Sequence, residues 1–260
     1  MTESNSSRGI HSCGGIEMLD KNIKRKLPVY EEAEYIQVRP EEMEKESFAI
    51  ITRELHRQKI RMSYDHAPVI LRCIHTSADF DYADSLRFSK NVILLAQTAM
   101  LAGPRIVTDT RMGFSGINKT AVKACGGEIL CYMDDPEVAA EARLRGMTRA
   151  AVSMERACEA DIKQDKDSAK PYIFAVGNAP TALLALDALL NENDNFRPAL
   201  IIAVPVGFVN VVYAKQTLQD TMDRLRIPYI LSSGYKGGSS IAAAIVNALL
   251  LQVKNQMPHK

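Results

Sequence analysis

Three short apolar strands, each leading through a glycine- or asparagine-bearing loop into a helix, constrain this chain more than anything else in it. The strands are residues 172–176, 199–204 and 229–231. Their loops are Gly177-Asn178-Ala179-Pro180-Thr181, then Pro205-Val206-Gly207-Phe208-Val209-Asn210, then Ser232-Ser233-Gly234-Tyr235-Lys236-Gly237-Gly238-Ser239. A strand with one wet face alternates polar and apolar residues, whereas these are apolar throughout and must be buried on both faces. The expected fold is therefore α/β: a doubly wound, mostly parallel sheet flanked by helices, in a single domain over residues 27–260 with N-terminal helical segments. No sequence repeat underlies the rhythm, so it is an architecture rather than a duplication.

The upstream chain supplies the remaining elements. Met43, Phe48, Ile51 and Leu55 form one stripe of a helix over residues 40–58, after an extended piece at 35–40. Val69, Ile70, Cys73 and Ile74 recur at helical spacing and predict a short buried helix over 67–76. A helix over 88–101 stops at Gly103-Pro104. Residues 105–108 and 128–132 are expected strands, with a loop at 109–117 entering the next helix. Asp134-Asp135-Pro136 supplies a cap and a first-turn proline for a helix to Arg145. A helix over 148–160 and a polar linker at 161–170 follow. Residues 1–26 are polar, small and aperiodic, as in a flexible tail.

Composition removes several functions. With 47% apolar and 24% charged residues the chain can bury a sizeable core. A formal charge of +1 gives no bulk attraction to nucleic acid or a membrane surface. The longest apolar stretch, residues 241–251, is too short for a span of about 20 residues and contains Asn247. No signal-peptide pattern opens the sequence, so a cytoplasmic location is expected. Cys13, Cys73, Cys125, Cys131 and Cys158 are scattered and never spaced as C-x-x-C, as for reduced thiols. His56, His66 and His75 fit no ligand spacing, so no protein-held metal is expected.

In a parallel sheet, ligands lie beyond the carboxyl ends of the strands, where loop N–H groups and helix N-termini suit carboxylates or phosphates. The glycines serve tight turning as well as ligand approach. No dinucleotide fingerprint, phosphate loop or hydrolase elbow is present. Outside the loops, Arg72 and His75 lie three apart on one helix face, a cation beside an imidazole, which suits an acidic ligand that exchanges a proton. A lone histidine near apolar residues also fits a structural role. Ser47 beside Phe48 is either a helix-surface serine or a hydroxyl at a pocket rim. Lys236 is equally a ligand lysine and an exposed loop lysine.

Several ordered motifs together resemble the precorrin-8X methylmutase family of cobalamin biosynthesis, including its cobalt-precorrin-8 branch. They are Glu46-Ser47-Phe48-Ala49-Ile50-Ile51, Arg72-Cys73-Ile74-His75, Thr108-Asp109-Thr110-Arg111-Met112, Val176-Gly177-Asn178-Ala179-Pro180-Thr181-Ala182-Leu183, Val204-Pro205-Val206-Gly207-Phe208-Val209 and Gly237-Gly238-Ser239. The resemblance implies an isomerase that moves a methyl group from C11 to C12 of a tetrapyrrole, giving hydrogenobyrinic acid or cobyrinic acid. It places the catalytic proton donor and acceptor on His75 and substrate contacts on Arg72 and Ser47. Gly177, Asn178, Lys236, Gly237, Gly238 and Ser239 are the further candidates for holding substrate carboxylates. Met112, Phe114, Phe208 and Val209 either face the flat macrocycle or pack in the core. No protein-bound cofactor is implied, cobalt arriving inside the substrate, and homodimers are implied. The alternative reading is a carrier that binds a corrinoid without converting it.

Overall fold

The structure is a computed structural model that describes residues 38–165 and 169–254. After a 3-10 turn at Pro40–Glu42 come α1 (Met43–Arg57), α2 (Ala67–Ser77), α3 (Tyr82–Ser85), β1 (Leu86–Phe88), α4 (Val92–Leu101) and β2 (Arg105–Thr108). Next are α5 (Arg111–Gly116), α6 (Lys119–Ala124), β3 (Glu128–Leu130), α7 (Pro136–Arg145) and α8 (Arg149–Ile162). The chain continues with β4 (Tyr172–Val176), α9 (Pro180–Glu192), β5 (Leu200–Ala203), α10 (Val211–Leu225), β6 (Tyr229–Ser232) and α11 (Ser239–Val253). The tail expected at residues 1–26, the extended piece as far as residue 37, and Cys13 lie outside the described residues.

One six-stranded sheet runs in the order β1-β6-β5-β4-β2-β3. All neighbours pair in parallel except β1, which is antiparallel to β6 with Leu86 opposite Ser232. Successive strand residues explain the missing polar alternation. Ile106, Ile173, Ala175, Ile202 and Ile230 enter the core under α1, α2, α4 and α11. Val107, Phe174, Val176, Ile201, Ala203 and Leu231 enter the opposite core under α8, α9 and α10. Each fully buried Val, Ile, Leu or Phe contributes roughly 1.5–3 kcal/mol relative to exposure, so both layers stabilise the sheet.

The sheet corrects three expectations. Residues 86–88 form an edge strand, and the helix expected from residue 88 begins only at Val92, after Asn91 adopts a left-handed φ of 58°. Three residues are too few to display a period, and the pairing with β6 sets the strand. Its continuation is held by Ser89, whose N–H donates to the Tyr229 carbonyl while its hydroxyl accepts from the Tyr229 N–H. Residues 111–116, expected as loop, form α5, capped by Thr110, whose hydroxyl accepts from the Gly113 N–H. Gly113 and Gly116 disguise it because glycine disfavours helix. A Cβ at Gly116 would lie 2.9 Å from the Ala243 Cβ, so the glycine allows α11 to approach α5. The segment expected as a linker from residue 161 begins inside α8, which runs to Ile162.

Cys73, Cys131 and Cys158 are free thiols. Burial pushes Cys73 up to about 12 and also raises Cys158 to about 12, aided by nearby acidic groups. The thiolate is the reactive form. In the native protein at pH 7.5, iodoacetamide should modify Cys131 while sparing Cys73 and Cys158. Peptide mapping before and after unfolding checks this, and early labelling of Cys73 would contradict the packing of α2.

Candidate active site

Helix α2 takes its position from its apolar stripe. Val69, Ile70, Cys73 and Ile74 are buried, which turns Arg72, His75 and Thr76 outward, and Pro68 in the first turn needs no N–H partner there. The helix stops at Ala78, in the left-handed region at φ 55°. Helix α1 then brings Phe48 against it. The Phe48 ring centre lies 5.2 Å from that of His75 and 4.9 Å from the Arg72 guanidinium carbon. Phe48 thus sets the spacing between a cation and an exposed imidazole. Neighbouring Ser47 donates its hydroxyl hydrogen to the Met43 carbonyl at 2.8 Å, leaving the oxygen able to accept. Arg72 also ion-pairs with Glu44, a carboxylate already in the place where an acidic ligand would bind.

Beside Arg72 and Thr76 opens a cavity of about 700 Å³, walled opposite by Asn118, Ser240 and Asn247. Small Ala243 and Ala244 of α11 form its floor. An apolar cleft of about 350 Å³ adjoins it on the other side of Arg72, lined by Phe48, Leu71 and Leu251. Arg72 lines both hollows, whereas Ser47 and His75 line neither; Phe48 is the residue that touches both Arg72 and His75.

The loop candidates have other partners. The winding reverses between β2 and β4, the crevice where a doubly wound sheet ordinarily receives a ligand. Here that crevice holds Asp109, which is 1% exposed. Its Oδ1 accepts from the Gly177 N–H at 2.9 Å, and its Oδ2 accepts from the N–H groups of Asn178 and Ala179 at 2.8 Å each. Burial pushes its pKa up against the opposing pull of these amides. The Gly177 and Asn178 N–H groups are thus engaged by the protein's own carboxylate, and the Asn178 side chain is the exposed part of that turn.

Two glycines are required by close approach. A Cβ at Gly177 would lie 2.5 Å from the Ser239 Cα, and one at Gly237 would lie 2.1 Å from the Val204 carbonyl oxygen. Gly238 sits at φ 145° and donates its N–H to the Val204 carbonyl. Ser239, nearly buried at the start of α11, shares a 2.8 Å hydrogen bond with Thr110. Lys236 is held within the protein: its ammonium donates to Asp79 and Asp81 at 2.6 Å each. Burial draws its pKa down, but the two carboxylates outweigh that and hold it above its ordinary value. The pair ties the last loop to the turn that follows His75.

Met112, Phe208 and Val209 are 68%, 84% and 79% exposed, so they are not core residues. Phe208 stacks on Tyr235 at 5.4 Å, forming an exposed aromatic step beside the Lys236 loop. Phe114 is half-buried, with Arg111 and Lys119 over its ring. Sequence reasoning passed over Phe48 as a spacer, Asp109 as a plug, and Lys215, a lysine 1% exposed in α10. Only Asp109 had a visible signal, a carboxylate directly after a buried strand.

Fold comparison gives the class first. A crystal structure described as precorrin-8x methyl mutase from Thermus thermophilus aligns with a TM-score of 0.70 and 35% identity, covering 83% of this chain and 99% of that one. The family model described as Precorrin-8X methylmutase matches residues 42–252. A cobalt-precorrin-8 methylmutase of Priestia megaterium is 38% identical over 82% of this chain and 88% of its own length. The Salmonella typhimurium cobalt-precorrin-8 methylmutase is 38% identical over 85% and 98%, and the precorrin-8X methylmutase of Pseudomonas aeruginosa 34% identical over 79% and 92%. The chain belongs to the precorrin-8X methylmutase family. It is an isomerase of cobalamin biosynthesis with a tetrapyrrole substrate, which decides against the non-catalytic carrier. Among the described residues no helix is long and apolar enough to cross a membrane.

Proposed function

We propose that this enzyme moves the methyl group from C11 to C12 of precorrin-8X or cobalt-precorrin-8, with His75 as the proton donor and acceptor. The observation that carries the reading is the Arg72–Phe48–His75 cluster, which presents a cation and an exposed imidazole on one face of α2. The substrate is a flat macrocycle edged with acetate and propionate groups. Arg72 suits one of those carboxylates as a forked donor, exchanging Glu44 for it, and the Ser47 oxygen accepts from the ligand. The His75 imidazolium lends a proton to the conjugated ring, the methyl migrates within the same molecule, and the imidazole recovers the proton as the ring system re-forms. Atoms and charge balance without a protein-bound cofactor, and any cobalt travels inside the ring.

The test is absorbance-monitored conversion of metal-free and cobalt-containing substrate by the purified enzyme. Conversion yielding hydrogenobyrinic acid or cobyrinic acid supports the reading, and the faster substrate names the pathway branch. A spectral shift on binding without isomerised product would sink it. Replacing Arg72 with alanine should raise KM about 10- to 100-fold, the loss of a charge-assisted contact, with a smaller change in kcat. An unchanged KM would place the substrate carboxylates elsewhere. A homodimer is also proposed, as is a cytoplasmic location. Sedimentation at micromolar concentration tests the first, and a monomer there would refute it.

A further inference from the structure

Lys215 projects from α10 beneath the turn between β6 and α11. Its Nζ donates to Ser232 Oγ at 3.1 Å, to the Gly234 carbonyl at 2.9 Å and to the Lys236 carbonyl at 2.8 Å. Ser232 Oγ in turn donates to that same Lys236 carbonyl at 2.7 Å. All three ammonium hydrogens are thus spent on one short loop, and every acceptor is a neutral oxygen. A cation buried without a carboxylate costs several kcal/mol of lost hydration. An aliphatic residue would fill the same slot without that cost, so packing does not explain the lysine. Three donors aimed at one turn do explain it. Burial lowers its pKa to about 8, which still leaves it mostly protonated at neutral pH.

The turn so fixed has three outward attachments. Tyr235 stacks on Phe208, and its carbonyl accepts from the Gly207 N–H. Lys236 grips Asp79 and Asp81, in the turn directly after the helix that bears His75. Gly238 donates to Val204 and starts α11, which packs along α2.

We infer that Lys215 is a positioning residue that holds the 233–238 turn and, through Lys236 and Asp79, the end of α2 on which His75 stands. It touches no substrate itself. The inference rests on the assignment of His75 as acid and base.

Lys215→Met keeps an unbranched, flexible chain only one heavy atom shorter and removes all three donors. Ser232→Ala is the milder companion, removing only the bridge, and serves if the first variant does not fold. Both are assayed for kcat and KM on the substrate that the wild type converts, with active sites counted by product binding, and for backbone hydrogen exchange without ligand. A misplacement of the catalytic group of about 1 Å should lower kcat of Lys215→Met roughly 10- to 100-fold while KM changes less than about threefold. Exchange at 233–238 and 75–81 should quicken at least tenfold (about 1.4 kcal/mol of lost protection) while the β4–α9 turn stays unchanged. Ser232→Ala should move both readouts the same way by about three- to tenfold. A folded variant with wild-type kcat, or with unaltered exchange in those segments, overturns the inference. A lowered melting temperature with kcat per active site intact also overturns it, leaving Lys215 merely structural. An inactive wild type defeats the methylmutase reading itself and takes the catalytic half of the inference with it, a result distinguishable from any ratio of variant to wild type.

Discussion

Replacing His75 with asparagine should lower kcat by about 10²- to 10⁴-fold, the usual contribution of a positioned general acid–base group. Asparagine keeps a planar, hydrogen-bonding side chain of similar reach and loses only the ability to exchange a proton near neutral pH. Because Arg72 and Ser47 remain, product titration should still show binding within a few-fold of the wild type. That split separates a proton-transfer role from a binding role. Turnover within threefold of the wild type would remove His75 from the chemistry, and the search would then move to the groups that line the cavity of about 700 Å³ beside Arg72.

The second large effect is on stability. Asp109→Ala should cost about 4 kcal/mol, because it strands three amide hydrogens that now meet one buried carboxylate. The Gly177 N–H is fully buried and cannot turn to water for a substitute, while those of Asn178 and Ala179 are half-covered. Small domains hold together by about 5–15 kcal/mol, so the variant should unfold at distinctly lower urea concentration. Asp109→Asn should cost less, since one oxygen still accepts, although its amide group then faces a donor. Equilibrium urea curves decide the matter. A loss below 1 kcal/mol would mean that water or a shifted backbone satisfies these amides.

The sheet was legible because its strands carry the signature of burial on both faces. Residues 172–176 are β4 to the residue, since an apolar run between a polar stretch and a glycine leaves little freedom in its ends. Helix α7 was equally plain, being opened by Asp135 and Pro136 and closed by Gly146 in the left-handed region. Edge strand β1 was not legible, as its three residues are defined by their partner rather than by their own pattern. Nor was α5, where the glycines answer to α11 rather than to helix propensity.

The candidate site divides along the same line. Arg72 and His75 lie on one face because helical spacing places them there. Phe48 belongs to a different helix, and only the packing of α1 on α2 reveals it as their spacer. The loop glycines show the limit most clearly. Their motif marks this family, yet the amides of the Gly177 turn serve Asp109, and Gly177 and Gly237 are small because Ser239 and Val204 press on them. A pattern of residues records that the backbone must come close to something. It does not record whether that something is a ligand or the protein itself.

The carboxylate in the crevice between β2 and β4 also bears on life among the cell's metabolites. Sheets of this winding commonly seat a nucleotide or sugar phosphate at that point, and such anions are abundant. By filling the position with a carboxylate of the chain itself, Asp109 leaves the Gly177, Asn178 and Ala179 amides already engaged and sets a like charge against an incoming anion. The proposed substrate contacts, Ser47, Arg72 and His75, stand instead on α1 and α2, whose side chains rather than loop amides would have to select the ligand.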